Sequence, residues 1–151
     1  MPDAGLDTPE TPGVWIAVDV GTVRVGVARS DPRGVLAVPV ATLLRSVGDD
    51  RDIAELAGLV AEHEAVGVIV GLPTTLAGRE GKAAQAARDY GARLAARIAP
   101  VQVEYVDERL TTVSAQRKLH HGGVRGAAGR AVIDQAAAVE LLQHWLDRRG
   151  S

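Results

Sequence analysis

Val14-Trp15-Ile16-Ala17-Val18-Asp19-Val20-Gly21-Thr22 sets one carboxylate inside an apolar run that stops at a glycine turn. The β-branched residues make this run a strand, and its lack of polar alternation makes it an interior one. A carboxylate buried there costs several kcal/mol unless a positive charge compensates it. Arg24, the first arginine after the turn, is one candidate partner. A metal ion shared with two later carboxylates is the other.

Outward from this strand, two more β-type runs follow at 23–30 and 34–40, so the chain opens as an antiparallel meander. Gly21-Thr22, with glycine first, predicts a type II′ hairpin turn, and Asp31-Pro32-Arg33-Gly34 predicts a second turn. Asp49 and Asp50 stand where a helix cap belongs, ahead of Ile53, Leu56 and Val60 at helical spacing. The apolar run 66–71 reads as a strand buried on both faces. A helix with Ala83, Ala87, Tyr90, Leu94 and Ile98 inward comes next and ends at Pro100. Val101, Val103 and Tyr105 alternate as a last strand that runs into Asp107-Glu108-Arg109. A helix to about 119, a glycine-rich basic loop over 120–130, and a final helix over about 131–147 complete the chain.

Strand–helix–strand crossovers make the first, fourth and fifth strands parallel. Ligands of open α/β sheets bind beyond the carboxyl ends of such strands. Asp19, Gly71 and the Asp107/Glu108 pair all stand at those ends. Asp19, Glu108 and Asp134 are therefore the candidate acidic set, with Asp107 an alternative to Glu108 because strand parity is loose at a strand end. Carboxylates bridging divalent ions can orient a water and stabilise the leaving oxygen of a phosphodiester, and three acids suffice for Mg²⁺, which keeps several waters. Asp134 is expected in the first turn of its helix, where an acid also favours the helix dipole. Residues 116–130 hold Arg117, Lys118, Arg125 and Arg130 with no acid, which suits a phosphate backbone.

Composition narrows the classes. The chain has 151 residues, 46% hydrophobic and 24% charged, with no cysteine and hence no disulfide, thiolate zinc site or thiol nucleophile. No apolar stretch reaches membrane-spanning length, and a cytoplasmic location is the default expectation. Residues 1–13 read as a disordered acidic leader, ahead of one domain over 14–149. The leader holds Asp3, Asp7 and Glu10; the remainder carries 17 basic and 16 acidic residues, so a polyanion site has to come from local clustering. The aromatics are Trp15, Tyr90, Tyr105 and Trp145, few for stacking on bases, which favours recognition by shape and charge.

Four stretches together resemble the YqgF/RuvX family of Holliday-junction-resolvase-like nucleases in the RNase H superfamily. They are AVDVGTVRVGVARSD (17–31), VIVGLPTTLAG (68–78), VDERLTT (106–112) and IDQAAAVELLQHWL (133–146). The resemblance implies an RNase H-like α/β fold, a five-stranded mixed sheet of order 3-2-1-4-5 with strand 2 antiparallel and helices flanking it. It implies a nuclease dependent on Mg²⁺ or Mn²⁺ that matures the 5′ end of the 16S rRNA precursor. Precursor rRNA, within ribosomal particles, or branched DNA would be its partner. Asp19, Glu108 and Asp134 carry over as the acidic cluster, and Arg24, Asp31, Arg109 and Thr111 as supporting positions, with Arg24 and Arg109 facing nucleic acid. Two rivals share parts of this pattern. Asp19-Val20-Gly21-Thr22 also matches the phosphate turn of actin-like ATPases, whose two-domain cleft a chain of this length cannot close. A non-catalytic RNA-binding assembly factor would keep the fold without needing the three acids.

Overall fold

The computed structural model describes residues 13–46, 48–73, 80–108 and 126–149, with the backbone alone for 126–133. The strands are β1 (Trp15–Val20), β2 (Arg24–Ser30), β3 (Ala37–Leu44), β4 (Gly67–Leu72) and β5 (Gln102–Asp107). The helices are α1 (Arg51–Glu62), α2 (Lys82–Ile98) and α3 (Gly126–Arg149). The sheet has five strands in the order β3-β2-β1-β4-β5. β1 pairs antiparallel with β2 and parallel with β4, and β4 pairs parallel with β5. This is the expected order 3-2-1-4-5.

Alternation along the central strands builds two cores. Ile16, Val18, Val68, Val70 and Leu72 face α1 and α2, where they pack on Ile53, Leu56, Val60, Tyr90 and Leu94. Ala17, Ala28 and Ile69 face the other way, onto Ala138, Leu141, Leu142 and Leu146 of α3. The second face is built from smaller residues, so α3 lies close to the sheet. Helix α2 turns Ala84 and Ala87 inward, not Ala83.

Several local expectations need correction. Gly21 does not have the positive φ of a type II′ turn. The turn instead centres on Thr22-Val23, with the Gly21 N–H donating to the Arg24 carbonyl at 2.9 Å. Gly21 serves close approach, since a Cβ there would come within 2.8 Å of that same carbonyl oxygen. β3 starts at Ala37, not at 34, because Asp31 Oδ1 accepts the N–H groups of Val35 and Leu36 and ties them into the preceding turn. At the start of α1, Asp49 accepts the Arg51 N–H, whereas Asp50 makes no side-chain cap and pairs with Arg93. The last helix begins at Gly126, so half of the expected glycine-rich loop is helical. The leader over 1–13, except Gly13, and the helix to about 119 lie outside the described residues.

One buried polar group on the α1/α2 face was not foreseen. Asp52 is 2% exposed and accepts the Tyr90 hydroxyl hydrogen at 3.0 Å. Burial first, then the charge of Asp52 and this hydrogen bond, push the Tyr90 hydroxyl well above the usual phenol range.

Gly26→Ala drives a methyl into the main chain of α3 and should destabilise by about 1–3 kcal/mol. Gly58→Ala, exposed on α1 with open space around it, should stabilise by about 0.5–1 kcal/mol in the same urea titration. Tyr90 binds its proton more tightly folded than unfolded, so its contribution is complete below the unfolded phenol value of about 10 and drains as pH rises beyond it. Ultraviolet titration of Tyr105→Phe, which leaves Tyr90 as the sole phenol, should show ionisation only above that value, together with falling stability.

Candidate active site

Asp19 ends up against α3 through strand parity and one missing side chain. Asp19 pairs with Gly26 across β1 and β2, and antiparallel partners point to the same face. A Cβ on Gly26 would come 2.1 Å from the main-chain oxygen of Asp134 and 3.2 Å from the Asp134 Cβ. The backbone of α3 therefore rests on Gly26, directly beside the carboxylate-bearing position of β1. Asp19 is 3% exposed.

Glu108 reaches the same face from the next strands. Gly71 stands one residue past the Val18–Val70 pair, on the α3 side of β4. A Cβ on Gly71 would meet the Glu108 Cγ at 3.0 Å and Cδ at 3.2 Å, and Leu141 Cδ2 at 2.9 Å. The carboxyl end of Glu108, 8% exposed, thus lies in the space that glycine leaves. Asp107 is the register partner of Leu72, which belongs to the opposite core. Its charge acts on Glu80 there, opposing the Arg88 hydrogen bond that lowers the Glu80 pKa. Of the two, Glu108 therefore shares the α3 face with Asp19, and Asp107 lies on the opposite one.

Asp134 lies in the third turn of α3, not the first, and the first turn holds no acid. The helix-dipole explanation for an acid at this position is removed. Its Oδ2 instead accepts the Arg24 Nε–H at 3.2 Å, with both side chains about 15% exposed. Arg24 is thus the partner of Asp134. Asp31 sits at the other edge of the sheet, because β2 runs back from Arg24, and there its carboxylate organises the β2–β3 turn. The two main-chain N–H groups it accepts hold its pKa below the ordinary carboxylate value. Arg109, Thr111, Arg117, Lys118 and Arg125 lie outside the described residues, and Arg130 is placed only as a position on α3.

The donor chemistry fits a hard divalent cation: three carboxylates, no nitrogen or sulfur, on one face at the carboxyl edge of the parallel strands. Two glycines hold open the space that brings them there. Among the described residues no three acidic or histidine groups approach closely enough to enclose an ion, and Asp134 is engaged by Arg24. Sequence reasoning missed Gly26 and Gly71 as the residues that admit α3 and Glu108. An isolated glycine within a strand pattern signals close approach, and Val25-Gly26-Val27 carries that signal.

The RuvX family model, described as a Holliday junction resolvase, matches residues 13–148. A Mycobacterium sp. (strain KMS) protein provisionally named a pre-16S rRNA nuclease is 56% identical over 156 residues, covering 99% of this chain and 92% of the relative. A Frankia casuarinae protein with the same provisional name is 58% identical over 139 residues, covering 91% and 69%. Among solved structures, Thermus thermophilus RuvC in complex with a Holliday junction substrate aligns with a TM-score of 0.57 at 13% identity, covering 92% of this chain and 97% of RuvC. At that identity the likeness speaks to the fold.

A double-mutant cycle tests the pairing that holds Asp134. Arg24→Met, Asp134→Asn and the double variant, compared by urea unfolding, should give a coupling energy of about 1 kcal/mol. Purely additive effects would mean that Arg24 does not hold Asp134 in solution.

Proposed function

The chain belongs to the RuvX family, and from that premise we propose that it is a divalent-metal-dependent nuclease that hydrolyses phosphodiester bonds in the 16S rRNA precursor, at the 5′ end. The observation that supports this reading is that Asp19, Glu108 and Asp134 share the α3 face of the sheet, at the carboxyl edge of β1 and β4. The names of relatives more than half identical over nearly the whole chain support the choice of substrate.

Asp19, Glu108 and Asp134 would hold Mg²⁺ or Mn²⁺. When bound, the ion supplies an activated water and a positive charge beside the leaving oxygen. The protein's own contribution is positioning. β1 and β4 fix Asp19 and the Gly71 recess in one hydrogen-bonded frame, α3 brings Asp134 down onto Gly26, and Arg24 orients the Asp134 carboxylate. The buried setting of Asp19 and Glu108 keeps bulk water from competing for their oxygens. Arg109, Arg117, Lys118, Arg125 and Arg130 supply the phosphate contacts, and Thr111 is a supporting position of the family motif. Contacts to phosphates position a substrate without reading its sequence.

The same chemistry would cut branched DNA, and the family model's description as a Holliday junction resolvase favours that as the second reading. No helix among the described residues is long and apolar enough to cross a membrane; the cytoplasm, with ribosomal particles as partner, is the setting this reading requires.

The deciding assay offers a 16S rRNA precursor fragment and a four-way DNA junction in parallel, with Mg²⁺ or Mn²⁺. Cleavage of the RNA near its mature 5′ end is expected, and exclusive cutting of the junction would favour the second reading. Asp19→Asn should lower kcat by on the order of 10³-fold while RNA binding persists. Adding Asp134→Asn should make matters little worse, because residues that act as one unit are not additive. Multiplicative losses would separate the two acids into independent roles.

A further inference from the structure

Arg45, just past the end of β3, touches the β1–β2 turn twice. Its main-chain N–H donates to the Val23 carbonyl at 2.8 Å, and its Nη1 donates to the Gly21 carbonyl at 2.7 Å. The guanidinium is anchored from behind. Its Nε lies 3.8 Å from Asp52 Oδ2, and its carbon sits 5.1 Å from the centre of the Tyr90 ring. Tyr90 donates to the same Asp52 oxygen at 3.0 Å. The guanidinium carbon of Arg93 lies over the same ring, 5.7 Å from its centre, and Arg93 pairs with Asp50. Side chains from α1 and α2 thus meet at the Arg45 guanidinium, which in turn reaches the short turn.

That turn governs two of the three acids. Asp19 precedes Gly21 by two residues on the same strand. Arg24, whose carbonyl accepts the Gly21 N–H, holds Asp134 at 3.2 Å. We propose that Arg45, oriented by buried Asp52 and Tyr90, is a positioning residue for the carboxylate site, fixing the turn that carries Asp19 and Arg24. The inference rests on the nuclease reading of that site.

The physical argument begins with Asp52. It stands in the first turn of α1, where an acid needs only to be near the helix end to favour the dipole, and solvent would serve it well there. It is instead 2% exposed, a costly position for a charge that is not paired and hydrogen-bonded. Arg45 and Tyr90 are what compensate it. A guanidinium offers several N–H donors in a fixed plane, so Arg45 can face Asp52 with one nitrogen and the Gly21 carbonyl with another; a lysine ammonium cannot span both in that geometry. Displacements of about 1 Å at a site of oriented groups can cost on the order of 10²-fold in rate.

The test uses Arg45→Lys in the full chain, with two readouts. Amide hydrogen exchange by NMR follows the Gly21 N–H, and single-turnover cleavage of the precursor fragment follows kcat and KM at graded Mn²⁺. The expected result is Gly21 exchange at least about 10-fold faster, kcat down about 10- to 100-fold and KM within about twofold. The Mn²⁺ concentration for half-maximal rate should rise. Asp52→Asn should give the same pattern, and the double variant should be no worse than either single one. Unchanged Gly21 exchange, or a lowered melting temperature with the wild-type kcat in the folded fraction, overturns the proposal and leaves a merely structural ion pair. Should Arg45→Lys fail to fold, Tyr90→Phe removes only the hydroxyl that orients Asp52. It is then expected to speed Gly21 exchange and lower kcat by a smaller factor, and no change in either overturns the proposal. If wild-type protein cuts neither substrate, the nuclease reading fails, while Gly21 exchange still decides whether the clamp exists.

Discussion

The site depends on the contact between the main chain of α3 at Asp134 and the bare Cα of Gly26. A helix normally stands off a sheet by the thickness of the side chains between them. Here the sheet offers glycine where a side chain would stand, and the Asp134 carbonyl oxygen would lie 2.1 Å from any Cβ at that position. Because Gly26 is the cross-strand partner of Asp19, the approach that seats the helix also sets one carboxylate-bearing residue beside another. Gly71 repeats the device one strand over, for Glu108. Packing and site assembly are therefore one constraint.

The two faces of the sheet divide the labour. The α3 face sets the alanines Ala17, Ala28 and Ala37 under the helix beside Ile69 and carries the acids at its carboxyl edge. The opposite face carries larger aliphatic side chains together with Asp52, Tyr90 and the guanidinium of Arg45. The strands between them are rigid hydrogen-bonded elements, so a fixed position on one face is a fixed position on the other. Sites built on such elements hold their geometry better than sites on loops.

Much of this was legible in the chain. Period-two and uninterrupted apolar runs set out the strands, and crossover geometry made β1, β4 and β5 parallel, which put Asp19 and Glu108 at the same edge of the sheet. Turn chemistry was less readable. Gly21-Thr22 has the composition of a II′ turn, yet the close Gly21–Arg24 pair selects another geometry, and the Asp31 side chain delays β3 by taking two main-chain donors. The start of α3 was missed because Gly126, Ala127, Ala128 and Gly129 carry no amphipathic signal. That shift moved Asp134 from a helix end, where an acid explains itself, to the third turn, where it does not. Asp52 was missed for the opposite reason: an acid at a helix start looks ordinary until its burial is seen. The basic residues 109–125 lie beyond the described residues, so the expected phosphate contacts rest on the sequence.

The central claim is that Asp19, Glu108 and Asp134 hold one cation between them. Mn²⁺ binding measured by electron paramagnetic resonance, without any nucleic acid, tests it most directly. Asp19→Asn, Glu108→Gln and Asp134→Asn should each weaken binding more than about 10-fold, as loss of a ligand does, while Asp107→Asn, on the other face, leaves it unchanged. Wild-type affinity in any of the first three, or loss of binding in Asp107→Asn, would contradict the assignment.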